Sequence, residues 1–303
     1  MKLYAPAYYT TFSCIADRCT HSCCVGWEIG IDTETEQKYR QITHPYGERI
    51  RESIVHDGDA ACFRLDATER CPHLAENGLC QIITELGEGY LCEICREHPR
   101  FYNRTARGLE VGLGMACEEA CRVILAAEDF TTLCEIGEVD ADLCPPTFDA
   151  LTHREKILSI LSDPSRSLIQ KRSDLHSSYQ IPPFSGAEQT WRTHLGALEY
   201  LDSAHRAMFA GFLGAPDTPQ VLEAPLCRAL AYLVFRHCTA ANSESDLRER
   251  VGLCLLCERL IASLAFAAGV HEESALIPLA RTVSEEIEYS EENTEAIKRA
   301  FSP

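Results

Sequence analysis

Four cysteines fall within eleven residues, Cys14, Cys19, Cys23 and Cys24, and they set the chemical question for the whole chain. Further thiols follow in Cys71-Pro-His73, Cys80, Cys92-Glu-Ile-Cys95-Arg-Glu-His98, Cys117 and Cys121. Thirteen of the seventeen cysteines lie in residues 14–144, a density that small buried hydrophobes do not explain. Thiolates are soft donors that suit zinc and iron–sulfur centres. A structural zinc site usually brings two Cys-x-x-Cys knuckles, one for each edge of the tetrahedron. Within residues 14–144 only Cys92 and Cys95 make such a pair, the adjacent Cys23 and Cys24 do not fit a zinc ribbon, and the ferredoxin run Cys-x-x-Cys-x-x-Cys is absent. The spacing points to a metal and leaves iron–sulfur and zinc both open.

Other groups could support that chemistry. His21, His73 and His98 are interleaved with the thiols and read as ligands or as hydrogen-bonding neighbours. Arg96, Arg100, Arg104 and Arg107 are a local excess of positive charge that could face an anionic cluster or simply be solvated. Glu285, Glu286, Glu288, Glu291 and Glu292 could form an acidic face, with Tyr289 beside them, or a solvated helix surface. By contrast Cys227, Cys238, Cys254 and Cys257 lie in apolar helical sequence such as Leu253-Cys-Leu-Leu-Cys257 and read as core thiols.

The elements that must position these groups differ along the chain. Residues 1–125 are rich in turns, punctuated by Gly58, Pro72, Gly78, Gly87 and Gly89, with a strand-like stretch at 27–32 and a helix start near Gln37. So little regular structure buries little core, and a bound metal would supply folding free energy. From about Leu109 the spacing turns helical, with Cys117 and Cys121 one turn apart, and helices are expected at 150–161, 187–213, 221–240, 244–269 and 274–301. Breaks are expected at 134–149, around Cys144-Pro145-Pro146, and at Pro164 and Pro182-Pro183.

Composition excludes some functions. The chain has 303 residues, 46% of them hydrophobic, and a net charge of −18. Residues 1–125 carry 13 Lys and Arg against 19 Asp and Glu, so both the first part and the remainder are acidic. Neither nucleic acid nor an anionic membrane is an expected partner. No stretch reaches the roughly 18 uninterrupted apolar residues of a membrane helix, since Glu258, Arg259 and Ser263 break the longest candidate at 253–270. The N-terminus lacks the apolar region of a secretory signal, which points to the cytoplasm, where disulfides are disfavoured.

In order along residues 8–125, Phe12-x-Cys14, Cys19, Cys23-Cys24-x-Gly26-Trp27-x-Ile29, Cys71-Pro-x-Leu74, Leu79-Cys80, Cys95-x-x-x-Pro99-Arg100 and Cys117-Glu resemble the signature of the flagellin lysine-N-methylase family. The later Glu286-Ile-Glu-Tyr289-Ser-Glu-Glu-Asn293 is similar to that family as well. The resemblance implies a [4Fe–4S] cluster and methyl transfer from S-adenosylmethionine to lysine ε-amines of flagellin. The matching positions imply metal ligands among Cys14, Cys19, Cys23, Cys24, Cys71, Cys80, Cys95 and Cys117, with Cys92 and Cys121 as additions. These exceed the four thiols one cubane needs. No Gly-rich strand-to-helix turn for a nucleotide is present, Gly112-Leu-Gly114-Met lacking the spacing, and no Cys-x3-Cys-x2-Cys run occurs. The sequence assigns no catalytic residue, no S-adenosylmethionine site and no oligomeric state.

Together these readings predict a mainly α protein. An irregular, cysteine-rich, metal-binding N-terminal domain at 1–125 is expected to pack on an all-helical C-terminal domain at 126–303. The expected activity is that of a protein-lysine N-methyltransferase on flagellin. The alternative is a non-catalytic zinc- or iron-binding module in metal handling, redox sensing or scaffolding.

Overall fold

The computed structural model describes residues 1–140 and 147–302. In chain order the strands and helices are β1 (Lys2–Pro6), β2 (Gly30–Ile31), α1 (Thr33–Arg40), α2 (Tyr46–Ser53), β3 (Ile54–Asp57), β4 (Ala60–Phe63), α3 (Gln81–Leu86), α4 (Glu93–Glu97), β5 (Arg100–Arg104), β6 (Leu109–Leu113), α5 (Glu118–Ala126) and β7 (Leu133–Glu138). Helices then follow without further strands among the described residues: α6 (Ala150–Ser162), α7 (Leu168–Ser178), α8 (Glu188–Gly196), α9 (Ser203–Phe209), α10 (Gln220–His237), α11 (Glu244–Ala267), α12 (Leu276–Val283) and α13 (Glu291–Arg299). The chain divides into one unit of Met1–Phe12 with Arg100–Pro303 and a second of Ser13–Pro99.

In the first unit a four-stranded sheet runs in the order β5-β6-β1-β7. β5 and β6 form an antiparallel hairpin pairing Arg100 with Leu113 and Arg104 with Leu109. β1 joins β6 in parallel, Leu3 opposite Leu109, and β7 antiparallel, Pro6 opposite Leu133. Gly108 closes the hairpin at φ 152°, where a Cβ would meet the Lys2 carbonyl oxygen at 2.4 Å, so only glycine lets β1 approach there. The core lies on α10 and α11. Leu226, Leu230, Leu233 and Val234 of one helix, with Val251, Leu255, Leu260 and Ile261 of the other, are essentially inaccessible. Apolar residues wrap most of both helices, so other elements must cover them on every side. Ser243 caps α11 by accepting from the Asp246 N–H at 3.2 Å. Two fully buried ion pairs tie in outer elements: Arg154 of α6 binds Glu110 of β6, and Arg172 of α7 binds Glu258 of α11.

In the second unit a three-stranded sheet, β2-β4-β3, carries Ile29, Ile31, Ala61 and Phe63 against Tyr39, Ile50, Leu74 and Ile82. Asp32 organises the start of two helices. One carboxylate oxygen accepts from the Thr35 N–H of α1 at 2.9 Å and the other from the Glu93 N–H of α4 at 2.8 Å.

Three features depart from the expectation of an irregular metal-binding domain at 1–125 beside an all-helical one at 126–303. Residues 109–113 and 133–138 are strands, and with 2–6 and 100–104 they build a mixed sheet inside the helical unit. The chain changes unit at 12/13 and 99/100, because the parallel pairing of β1 with β6 draws the N-terminus to residues 109–110. Finally, among the described residues no group of three or more His, Cys, Asp or Glu is arranged to hold a metal ion, so the Ser13–Pro99 unit is built on a small sheet and apolar core. The expected helices at 187–213 and 274–301 are each interrupted, the latter by a π-helical turn at Ser284–Glu288. The turn predicted at Cys144-Pro145-Pro146 lies outside the described residues. No helix of the described residues is long and apolar enough to cross a membrane.

Candidate functional site

The Ser13–Pro99 unit gathers five of the sequence-predicted thiols. The Cys71 N–H donates to the Cys24 carbonyl at 2.8 Å, a bridge joins Leu74 to Cys80, and Cys92 precedes α4 with Cys95 one turn on. Cys71 and Cys92 are buried in the unit's apolar cluster, and Cys24, Cys80 and Cys95 pack against it. The five thiols are near enough to act on one another electrostatically.

Their acidities diverge for identifiable reasons. A hydrogen bond from the Cys23 side chain is the main cause that brings the Cys24 thiol down to about 7, against the opposing effect of burial. The Cys95 thiol donates to Cys92 in the same way, lowering Cys92 and raising Cys95. Burial pushes Cys71 up to about 12 and raises Cys80. The five thiols thus comprise the hydrogen-bonded pair Cys92 and Cys95, Cys24 bonded to the exposed Cys23, and Cys71 and Cys80 held neutral by burial. Thiols become soft donors once deprotonated, although no three of the described ligand types are arranged here to hold a metal ion.

The remaining predicted positions lie elsewhere or act differently. Cys14 is exposed, and the Cys19 thiol donates to the His21 carbonyl at 2.9 Å. Cys117 and Cys121 belong to the other unit; Cys117 is the N-cap of α5, and Cys121 is fully buried with its thiol 3.6 Å from the Ile277 carbonyl oxygen. None of the described cysteines is in a disulfide. His73 is completely buried, and both ring nitrogens are engaged, Nδ1 with the Tyr46 hydroxyl at 2.8 Å and Nε2 with Ser53 Oγ at 2.9 Å. Ser53 gives its own proton to the Ile50 carbonyl, so His73 donates from Nε2 and accepts at Nδ1. Burial, with Arg49 nearby, lowers the ring to about 4 and keeps it neutral, so His73 is a structural hydrogen-bonding residue. His98 stacks edge-on against Trp27 at 5.3 Å. The basic run is dispersed: Arg96 pairs with Glu97, Arg100 donates to the Tyr9 hydroxyl at 2.9 Å, and Arg107 binds Glu155 and lies over Tyr4.

The Glu-rich segment is mostly not a surface. Glu286 is buried and accepts from the Leu201 and Asp202 N–H groups at 2.9 and 3.1 Å and pairs with His205 at 2.5 Å. Glu288 is the hub of a second buried network. Its Oε2 accepts from the Tyr232 hydroxyl at 3.1 Å and meets His237 Nε2 at 2.8 Å and Arg236 Nε at 3.4 Å. The Arg236 guanidinium lies between the rings of Phe101 and Tyr289, 4.9 and 4.8 Å from their centroids. Gly114 makes this packing feasible, because a Cβ there would meet the Tyr289 hydroxyl at 2.1 Å. Glu285 pairs with Arg281, and Glu291 and Glu292 alone of the five are exposed. The sequence offered no signal for Tyr232, Arg236 and His237, since one helix repeat places them like any core residues of α10.

Neither a family model nor a solved structure matches the chain. Three curated proteins are each 31% identical to it over 139 residues, which is 43% of this chain. Two are named lysine-N-methylase, from Salmonella typhimurium and Salmonella choleraesuis, and the matched stretch spans only 34% of their length. The third is the flagellar biosynthetic protein FliU of Salmonella muenchen, of which 80% is covered. With four-fifths of that relative aligned above 30% identity, the chain belongs to the family of FliU.

Proposed function

We propose that the protein transfers a methyl group from S-adenosylmethionine to lysine ε-amines of flagellin in the cytoplasm, and that it uses a [4Fe–4S] centre. The observation that carries this reading is the 31% identity to two proteins named lysine-N-methylase, supported by the flagellar name of the third relative. When bound, S-adenosylmethionine supplies an electrophilic methyl group. The lysine ammonium first gives up a proton to a base. That methyl group would be available to a lysine nitrogen whose lone pair has been freed by loss of its proton.

The donor set fits an iron–sulfur centre in kind, with five gathered soft thiols where a cubane takes four. Cys24, Cys71, Cys80, Cys92 and Cys95 are the residues that would hold it.

Anaerobic purification followed by iron and sulfide analysis tests the centre. About four of each per chain are expected, reduced in Cys92→Ser and Cys95→Ser. A colourless protein with stoichiometric zinc would refute it. Isotopically labelled S-adenosylmethionine and flagellin test the transfer, and absence of label on lysine would refute that part.

A further inference from the structure

The turn Cys92-Glu-Ile-Cys95 brings two thiols together. Cys92 is the N-cap of α4, and the Arg96 N–H donates to its carbonyl at 2.9 Å, so Cys95 stands three residues on along one helical turn. Cα atoms at that spacing lie about 5 Å apart. A disulfide spans about 4.4–6.8 Å between Cα atoms, so the backbone is already placed for one. The side chains also meet, the Cys95 thiol donating to the Cys92 sulfur. Cys23 and Cys24 are in contact as well, but a bond between adjacent residues closes a ring around a single peptide unit that resists leaving planarity.

The two sulfurs differ in access. Cys92 is 1% exposed, whereas Cys95 is only partly buried and Ile94 between them is 53% exposed. A reagent arriving from solvent therefore meets Cys95 first. Among the described residues no three metal-ligating side chains are arranged around one ion, so what the structure presents at this turn is a pair of thiols.

We infer that Cys92 and Cys95 are a redox-active dithiol that closes to a disulfide by reducing a low-molecular-weight disulfide. The Cys95 sulfur attacks one sulfur of the incoming molecule, whose S–S bond breaks, and the first small thiol departs with the Cys95 proton. The Cys92 sulfur then attacks the Cys95 sulfur of this mixed disulfide. The Cys92–Cys95 bond forms, and the second small thiol departs with the Cys92 proton. The chain loses two protons and two electrons, and one small disulfide becomes two thiols. The step is independent of methyl transfer. It uses two sulfurs of the proposed [4Fe–4S] centre, so the disulfide and a bound centre exclude each other.

The test equilibrates the full chain with a series of ratios of reduced to oxidised glutathione, blocks the remaining thiols with iodoacetamide and maps the cysteines by mass spectrometry. A peptide carrying the Cys92–Cys95 bond is expected, with both thiols lost to alkylation together and recovered with dithiothreitol. In Cys92→Ser, Cys95 should retain glutathione as a stable mixed disulfide, because no second thiol expels it. In Cys95→Ser the enclosed Cys92 should take up glutathione about tenfold more slowly than Cys95 does in Cys92→Ser, and equal rates would overturn the order of attack. Circular dichroism verifies that both variants fold. Oxidation to another pair, such as Cys71 with Cys80, would overturn the inference. So would the absence of a Cys92–Cys95 bond at ratios that load glutathione onto the exposed Cys14 and Cys134. In protein that carries iron and sulfide the bond should form only after the iron is chelated. A bond formed in protein that never binds iron refutes the [4Fe–4S] reading and leaves the dithiol standing.

Discussion

Replacing Glu288 by Gln keeps the side-chain shape and removes one charge from the centre of the first unit. Glu288 Oε2 takes hydrogen bonds from Tyr232 and His237 and faces Arg236 Nε at 3.4 Å. Without the carboxylate, the Arg236 guanidinium stays enclosed by Phe101 and Tyr289. It keeps the Tyr232 hydroxyl at 3.0 Å, the residue 288 carbonyl at 3.4 Å and a side-chain hydrogen bond with Tyr289, none of which carries a full negative charge. Breaking a buried pair from one side leaves an uncompensated charge and costs about 3–5 kcal/mol. At about 2–4 °C per kcal/mol for a unit of this size, the melting temperature should fall by roughly 6–20 °C. The two tryptophans separate the units, Trp27 lying in one and Trp191 in the other. Denaturant unfolding followed by Trp191 fluorescence in a Trp27→Phe background therefore reads the affected unit. Glu291→Gln, on the exposed start of α13, is the control and should stay within about 0.5 kcal/mol of the parent. Equal, small effects of the two substitutions would refute the assignment of Glu288 as the hub of a buried charge network.

Three further outcomes follow from the same geometry. Gly114→Ala places a methyl group 2.1 Å from the Tyr289 hydroxyl and 2.9 Å from Arg236 Nη1, and should cost about 1–3 kcal/mol in the same unfolding assay; a neutral result would show that Tyr289 does not pack there. Cys254→Ala removes a fully buried thiol 4.0 Å from that of Cys238, and should lower stability by about 1 kcal/mol while iron content stays unchanged; iron loss equal to that of Cys92→Ser would mean the cysteines are wrongly divided. Acid should destabilise the first unit in two stages. Burial is the largest influence on His237 and holds its ring below the ordinary value. Burial also opposes ionisation of Glu288, but Arg236 and His237 together outweigh it and hold the carboxyl below its usual range. Both folded-state values are depressed, so both contributions are complete above about pH 6.5. The His237 contribution is lost as pH falls below that point and the Glu288 contribution below about pH 4.5. Unfolding free energy measured from pH 7 to 3 should fall in that order, with a shallower acid limb in Glu288→Gln. A flat profile would contradict the network.

The residues themselves determined which groups could do chemistry and where the long helices run. Cysteine density between residues 14 and 144 marked a thiol site without knowledge of the fold, because soft donors at that frequency have few other uses. Apolar runs located α6, α10 and α11, the last also by its capping residue, since Ser243 satisfies an orphan N–H group locally. The buried state of Cys254 and Cys257 was legible in the same way. Tertiary structure alone decided which thiols meet. Cys24 and Cys71 converge through a backbone bond between segments far apart in sequence, and a local bridge from Leu74 brings in Cys80, whereas Cys121 turns into the helical core. It also decided that Leu109–Leu113 is a strand, because pairing with β1 and β5 outweighs local spacing. Likewise it put Glu286 and Glu288 inside the protein, since a carboxylate reads as surface in sequence until Arg236, His237 and backbone N–H groups are brought to it.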